Sequence, residues 1–95
     1  MTDVTVRDVP ESTRFEAHVG DRLAGFAAYT LDDGVITFTH TEVDDEFEGE
    51  GVGSTLVRAA LDQVRAGDRR VRPLCPFVKA WIDHHPDYQD LLRRR

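Results

Sequence analysis

The chain has 95 residues, 40% of them hydrophobic and 32% charged, and this length predicts one small domain spanning residues 1–95. Eighteen acidic against twelve basic residues give a net charge of −6, which argues against a nucleic-acid partner because such partners select a basic surface. The longest uncharged apolar stretch, Leu23 to Leu31, is too short for a membrane span of about 20 residues. We therefore expect neither a nucleic-acid nor a membrane partner.

The cysteine content and the first residues predict a cytoplasmic location. Cys75 is the only cysteine, so an internal disulfide is impossible and a reducing compartment is the simplest interpretation. The segment from Met1 to Val4 lacks the basic and apolar regions of a signal peptide. We expect a cytoplasmic protein that is a monomer or a weak homodimer.

The first half of the chain predicts an antiparallel meander of four strands. Four segments have the alternation or the β-branched and aromatic composition of strands: Thr2–Asp8, Thr13–Val19, Arg22–Leu31 and Val35–Val43. Gly20-Asp21 and Asp32-Asp33-Gly34 are typical of the tight turns that join antiparallel neighbours.

The second half predicts a helix, a short strand and a second helix. From Gly51 the apolar residues recur with a period of 3.6, at Val52, Leu56, Val57, Ala60, Leu61 and Val64, and Gly67 ends this helix. A strand over Arg70–Leu74 leads to Cys75-Pro76, which places Cys75 at the N-cap of a helix with the apolar stripe Phe77, Val78, Trp81 and Ile82. Pro86 ends it, and Tyr88 to Leu92 add a last turn or short helix. The order β-β-β-β-α-β-α predicts an α+β fold with one parallel pair in a mixed sheet.

The sequence Glu-Gly-Glu-Gly-Val-Gly at residues 48–53 follows a strand and opens a helix. Glycines let backbone N–H groups approach an anion closely, and the helix N-terminus adds partial positive charge. With the hydroxyls of Ser54 and Thr55 this pattern favours a pyrophosphate, although a flexible turn entering a helix is an equal alternative. The spacing matches neither the dinucleotide fingerprint nor a P-loop.

Two patterns that suggest a metal fail on geometry, so we expect no metal. The acidic residues from Asp44 onward follow the first half of a calcium-loop register, but Thr55 stands where the twelfth position requires Glu. His84 and His85 are adjacent, and neighbours on a helix point about 100° apart, so they do not readily share a metal.

The layout resembles the GCN5-related N-acetyltransferases, whose acetyl-CoA loop reads Gln/Arg-x-x-Gly-x-Gly/Ala; here Gly51 and Gly53 hold the glycine positions. It is similar in particular to the small single-domain branch of YjdJ-type or NATD1-like acetyltransferases. The matching features are His40-Thr41-Glu42-Val43, the glycine loop, Pro73-Leu74-Cys75-Pro76-Phe77 and Tyr88-Gln89-Asp90-Leu91-Leu92, and they cover nearly the whole chain.

This resemblance implies a sheet that splits like a V between the strand ending near Val43 and the strand at Arg70–Leu74, with acetyl-CoA as cosubstrate in the opening. The pantetheine arm would pair with the backbone of Thr41, Glu42 and Val43. The pyrophosphate would lie on the loop and first helical turn: Gly49, Glu50, Gly51, Val52, Gly53, Ser54 and Thr55. Lys79, Arg70 and Arg72 are further candidates for the CoA phosphates.

Two departures from the family pattern affect the site. Glu48 stands where the family has Gln or Arg, and Glu50 adds a second negative charge beside a polyanion. The connection Val9–Ser12 is too short for the two helices that help larger relatives bind the acceptor. The acceptor side is therefore expected to be open or completed by another subunit.

Three residues are candidates for catalysis: Cys75, His40 and Tyr88. Cys75 at a helix N-terminus suits a reactive thiolate, or it only lines the pocket. His40, expected on the strand face of Ile36 and Phe38, suits a general base for Cys75 or the amine, or it anchors a loop. By the family resemblance Tyr88 protonates the leaving thiolate; alternatively it holds the C-terminal segment against the core.

The predicted function is acetyl-CoA-dependent N-acetylation of an amine, which is a small molecule, a polyamine or a protein amine. The acidic surface favours a cationic acceptor. The alternative is a non-catalytic acyl-CoA-binding or protein-interaction module on the same fold.

Overall fold

The computed structural model describes residues 3–93 of the chain. Within them, five strands are formed by β1 (Thr5–Val9), β2 (Arg14–Val19), β3 (Arg22–Asp32), β4 (Val35–Val43) and β5 (Arg70–Pro73). The helices are α1 (Val52–Ala66) and α2 (Pro76–Asp83), and 3₁₀ turns occupy Pro10–Ser12, Asp45–Phe47 and Pro86–Leu92. The predicted α+β order is confirmed.

The strands lie in one mixed sheet in the order β1-β2-β3-β4-β5, antiparallel except for the parallel pair of β4 and β5. The helices α1 and α2 and the last 3₁₀ turn share a single hydrophobic core with one face of this sheet. The other face has no covering element in residues 3–93; we call it the open face, and it carries Arg14, Phe26, His40 and Glu42.

Helix α1 supplies the largest part of the helical side of the core. Its six predicted apolar positions are all buried, as the 3.6-residue period requires. The helix begins after Gly51, whose φ of 78° is left-handed and cannot continue a helix, and it ends at Gly67, which is extended. In the described part of the chain, no helix is long and apolar enough to cross a membrane.

The first two strands differ from their predicted bounds. The predicted strand Thr2–Asp8 begins at Thr5, which pairs with His18, and Thr2 lies outside the described residues. The second strand begins one residue late because Thr13 adopts a left-handed conformation (φ 46°) that closes the 3₁₀ turn before Arg14.

Candidate functional site

The sheet opens between β4 and β5, which confirms the predicted V-shaped split. The two strands pair only from Val35↔Arg70 to Phe38↔Pro73. The last backbone hydrogen bond between the two segments runs from the Cys75 N–H to the Phe38 carbonyl, at 2.8 Å. Beyond this apex β5 ends, one residue earlier than predicted, while β4 continues through residues 39–43 with no strand on that side among the described residues. One edge of β4 therefore offers backbone groups to a ligand.

A β-bulge at the apex decides which side chains face the split. Tyr29 of β3 pairs with Phe38 and Ala28 pairs with His40, so Thr39 is an extra residue in β4. Because one extra residue inverts the alternation, His40 leaves the face of the buried Phe38 and lies on the open face. The expectation that His40 shares a face with Phe38 is therefore wrong.

On the open face the exposed His40 lies beside the half-buried Phe26 and the exposed Glu42. Its side chain is 60% exposed, its ring centroid lies 6.0 Å from that of Phe26, and its Nε2 lies 3.7 Å from the Glu42 carboxylate. The Cys75 thiol has a different hydrogen-bond partner, Thr41. This position suits a group that meets an acceptor from solvent; catalysis by His40 stays a prediction.

The same bulge turns Thr41 into the split, where it meets Cys75. The Cys75 thiol is buried and donates to the Thr41 hydroxyl at 3.3 Å, across the gap between β4 and the start of α2. Cys75 is the N-cap of α2, as predicted, and Pro76 follows at the first helical position. Thr41 and Cys75 therefore form the polar pair at the apex of the split.

The glycine loop forms the wide end of the split. Gly49 and Gly51 have φ of 80° and 78°, the left-handed backbone conformation that favours glycine, just before α1 begins. Across residues 3–93, no acceptor meets the N–H groups of Gly49, Gly51, Val52, Gly53 or Ser54. The helix N-terminus adds positive potential to these donors, so the loop can bind an anion.

The Thr55 N–H is not part of this donor set, because it donates to the Gly51 carbonyl at 3.0 Å. Its exposed side chain leaves only the hydroxyl available to a ligand. Glu48 and Glu50 are also exposed, and Glu48 lines the groove over the loop, so the charge opposing a polyanion is present. A Cβ added at Gly53 would lie 2.8 Å from the tip of the Phe77 ring, so a larger residue there would displace this half-exposed side chain.

Two aromatic residues of the predicted apolar stripe of α2 contribute to the groove: Phe77 lines it, and Trp81 contacts its residue Ser54 from the core. Phe77 is 45% exposed and lies over Gly53, whereas Val78 and Ile82 of the predicted stripe are buried. Trp81 is buried, and its Nε1–H donates to the Ser54 Oγ at 3.0 Å. The signal for Phe77 was its place at the edge of the apolar stripe, directly after Cys75-Pro76.

The Tyr88 hydroxyl is hydrogen-bonded to two side chains of helix α1. Its hydroxyl donates to the Asp62 carboxylate at 2.6 Å and accepts from Arg58 at 3.5 Å. The hydrogen bond to Asp62, reinforced by burial, raises the pKa of Tyr88. This arrangement fits the alternative role of holding the last 3₁₀ turn against α1, and proton transfer by Tyr88 stays a prediction.

The further basic candidates do not line the loop groove. Lys79 pairs with Asp83 at 3.2 Å, one turn along α2. Arg70 and Arg72 lie on β5 and line a different groove, which also contains Leu74.

Comparison with known proteins agrees with this geometry. A model of the GCN5-related N-acetyltransferase family matches residues 14–91. The chain is similar to Protein NATD1 of Bos taurus (34% identical) and of Mus musculus (32%), over 62% of this chain in each case. The matched segment spans 52% and 54% of those relatives, about half of their length.

A solved structure is similar over most of both chains. The NMR solution structure of a GCN5-like candidate N-acetyltransferase from Staphylococcus aureus superposes with a TM-score of 0.71 at 26% identity, covering 96% of this chain and 89% of that one. The family model covers most of this chain, and the split sheet with its glycine loop is the architecture the resemblance predicted. The chain belongs to the GCN5-related N-acetyltransferase family.

Proposed function

We propose that this protein transfers the acetyl group of acetyl-CoA to an amine. The observation that carries the proposal is the continuity of the split: loop N–H groups without acceptors lie at its wide end, an unpaired strand edge runs along it, and the Cys75–Thr41 pair closes its apex.

The residues present fit acetyl-CoA. A pyrophosphate needs several convergent donors, and the loop from Gly49 to Ser54 offers five N–H groups without acceptors. The Trp81 indole orients the Ser54 hydroxyl, leaving its proton free to donate to a phosphate oxygen. The amides of a pantetheine arm match the open edge of β4 as an added strand would. Glu48 opposes this binding but removes none of the backbone donors.

The bound cosubstrate supplies an activated thioester. The Cys75 Sγ–H, held by the Thr41 hydroxyl, is a proton donor placed at the apex for a leaving sulfur. An amine must arrive from the open face, because α1, α2 and the last 3₁₀ turn cover the other. His40 lies on that face, so its chemical role is to take a proton from the amine rather than to activate Cys75.

A non-catalytic acyl-CoA-binding module is the second candidate. It is favoured by the Tyr88 hydroxyl, which is engaged by Asp62, and by the acidic Glu48 in the loop groove. This candidate predicts that acetyl-CoA binds and that no amine accelerates the release of CoA.

Thermal unfolding with and without acetyl-CoA separates binding from its absence. At about 100 times its dissociation constant, a ligand of the native state adds about 2.7 kcal/mol, which raises Tm by roughly 10 °C or more in a domain of this size. Release of the CoA thiol is then measured with an amine panel for wild type and Cys75→Ala. Transfer that falls in Cys75→Ala while the Tm shift is kept supports the enzyme; binding without thiol release supports the module. Absence of any shift at millimolar acetyl-CoA contradicts both.

A further inference from the structure

A second groove reaches the apex of the split from the open face. This open groove has a volume of about 410 Å³, within the usual range for small-molecule sites. We call it the β5 groove; its lining includes Thr37, Arg70, Arg72 and Leu74 and, at one end, Asp32 and Asp33.

The strand register places the two ends of the β5 groove. Thr39 and Leu74 are the first residues beyond Phe38↔Pro73, the last pair of β4 and β5, so they mark the apex itself. The adjoining Cys75 has its thiol on Thr41 inside the split. A molecule in the β5 groove therefore has one end next to the site of acetyl transfer.

The β5 groove is lined by two arginines and two aspartates, and Arg72 is the one of these four nearest the apex. Among residues 3–93, neither Arg70 nor Arg72 forms an ion pair, whereas Arg14, Arg22 and Arg65 each pair with a carboxylate. Across the sheet from Arg72 lie Thr37 and then Thr30, whose hydroxyls can donate to an anion.

The acidic lining lies at the other end. Asp32 is opposite Val35, which pairs with Arg70, so this carboxylate is in the row farther from the apex. Asp33 follows it in the turn before β4. The groove therefore presents the Arg72 guanidinium and the threonine hydroxyls next to the apex, with Arg70 and the two carboxylates beyond them.

We propose that the acceptor is a primary amine that also carries a carboxylate, which Arg72, assisted by Arg70, binds in the β5 groove. This inference rests on the proposed function and names its substrate class. Arg72 and Leu74 are two residues apart, about 7 Å along an extended strand, so an amine a few carbons from its carboxylate reaches the apex.

In the transfer the amine nitrogen bonds the acetyl carbon, the carbon–sulfur bond breaks, and the nitrogen's proton is lost as the sulfur gains one. The negative net charge of the protein attracts a diamine at long range, but once the acceptor is bound Arg72 favours a carboxylate over a second ammonium group.

The test compares ω-amino carboxylates of two to six carbons with n-alkylamines and α,ω-diamines of equal length. We expect kcat/KM for the best ω-amino carboxylate to exceed that of its matched alkylamine and diamine at least tenfold. Arg72→Gln should abolish this preference and Arg72→Glu should reverse it toward the diamine. Arg7→Gln, at an exposed arginine of β1 outside the groove, is the control and should leave the preference intact.

A binding measurement keeps the inference separate from the proposed function. Without acetyl-CoA, the ω-amino carboxylate should shift the amide NMR signals of Thr37, Thr39 and Arg72, and Arg72→Gln should remove these shifts. If acetyl-CoA raises Tm but diamines are the better acceptors, or if the carboxylate preference survives in Arg72→Gln, the inference is overturned and acetyl transfer stands. If acetyl-CoA does not bind, the proposed function fails, and the NMR shifts alone decide whether the groove binds carboxylates.

Discussion

Replacement of Gly51 by alanine measures how much the left-handed backbone conformation of the glycine loop costs in stability. Gly51 has φ of 78°, and a Cβ added there would meet no atom within 4 Å. The cost of the substitution is therefore backbone strain alone, without a steric clash. A left-handed conformation destabilises a folded protein by about 1–2 kcal/mol when the residue is not glycine. Alanine also restricts the unfolded chain more than glycine does, which offsets about 0.4–1 kcal/mol of this loss.

The net expectation is a loss of about 1 kcal/mol, which corresponds to a fall in Tm of about 4–8 °C for a domain of this size. The matched control is Gly67→Ala at the other end of α1. Gly67 has an extended backbone conformation, and its added Cβ would lie 3.6 Å from the Val64 carbonyl oxygen, an ordinary contact. This variant should be as stable as wild type or slightly more stable.

Thermal and urea unfolding of both variants, repeated with acetyl-CoA, measure the two effects. If Gly51→Ala relieves its strain by turning the loop N–H groups, its Tm shift with acetyl-CoA should also shrink. Equal stability of Gly51→Ala and wild type, or an equal loss in Gly67→Ala, would refute the argument that a left-handed residue shapes this loop.

Burial and a hydrogen bond to Asp8 of β1 raise the pKa of Tyr29 to about 12. The neutral Tyr29 therefore stabilises the fold below pH 10, and this contribution is lost as the pH rises toward 12. Wild type should lose about 2–3 kcal/mol more than Tyr29→Phe between pH 10 and 12 in urea unfolding, and parallel losses would contradict this. Glu48→Arg should tighten acetyl-CoA binding about fivefold, measured by calorimetry, because it replaces a negative charge beside the loop with a positive one. The control Glu11→Arg makes the same charge change on the β1–β2 connection and should leave the affinity unchanged. An equal gain in both variants would mean that only the net charge of the protein matters. Tyr88→Phe should lower stability by about 1 kcal/mol and change kcat less than threefold; a hundredfold fall in kcat would instead make Tyr88 the proton donor.

Much of the fold was predictable because its signals are local. The period of the apolar residues in α1 depends only on helix geometry, and all six positions are buried as predicted. The ends of α1 follow from glycine, which alone tolerates the backbone conformation at Gly51 without strain. The N-cap position of Cys75 follows from the proline after it.

The contacts of the candidate site were predictable only in part, because they depend on how distant segments meet. Alternation along β4 placed His40 beside Phe38, but the bulge at Thr39 reversed the two faces beyond it. A bulge is set by the pairing of two strands, and nothing in β4 alone marks it. The partner of the Cys75 thiol is consequently Thr41, 34 residues away in the chain.

The sequence by itself determined the order of the elements, the glycine loop and the family, since these depend on neighbouring residues and on a motif of fixed spacing. Only the tertiary structure decided the face on which His40 lies, the attachment of Tyr88 to α1 and the groove beside Arg72. Each of these joins groups that are far apart in the chain. Their positions follow from strand register and core packing, which a local pattern does not contain.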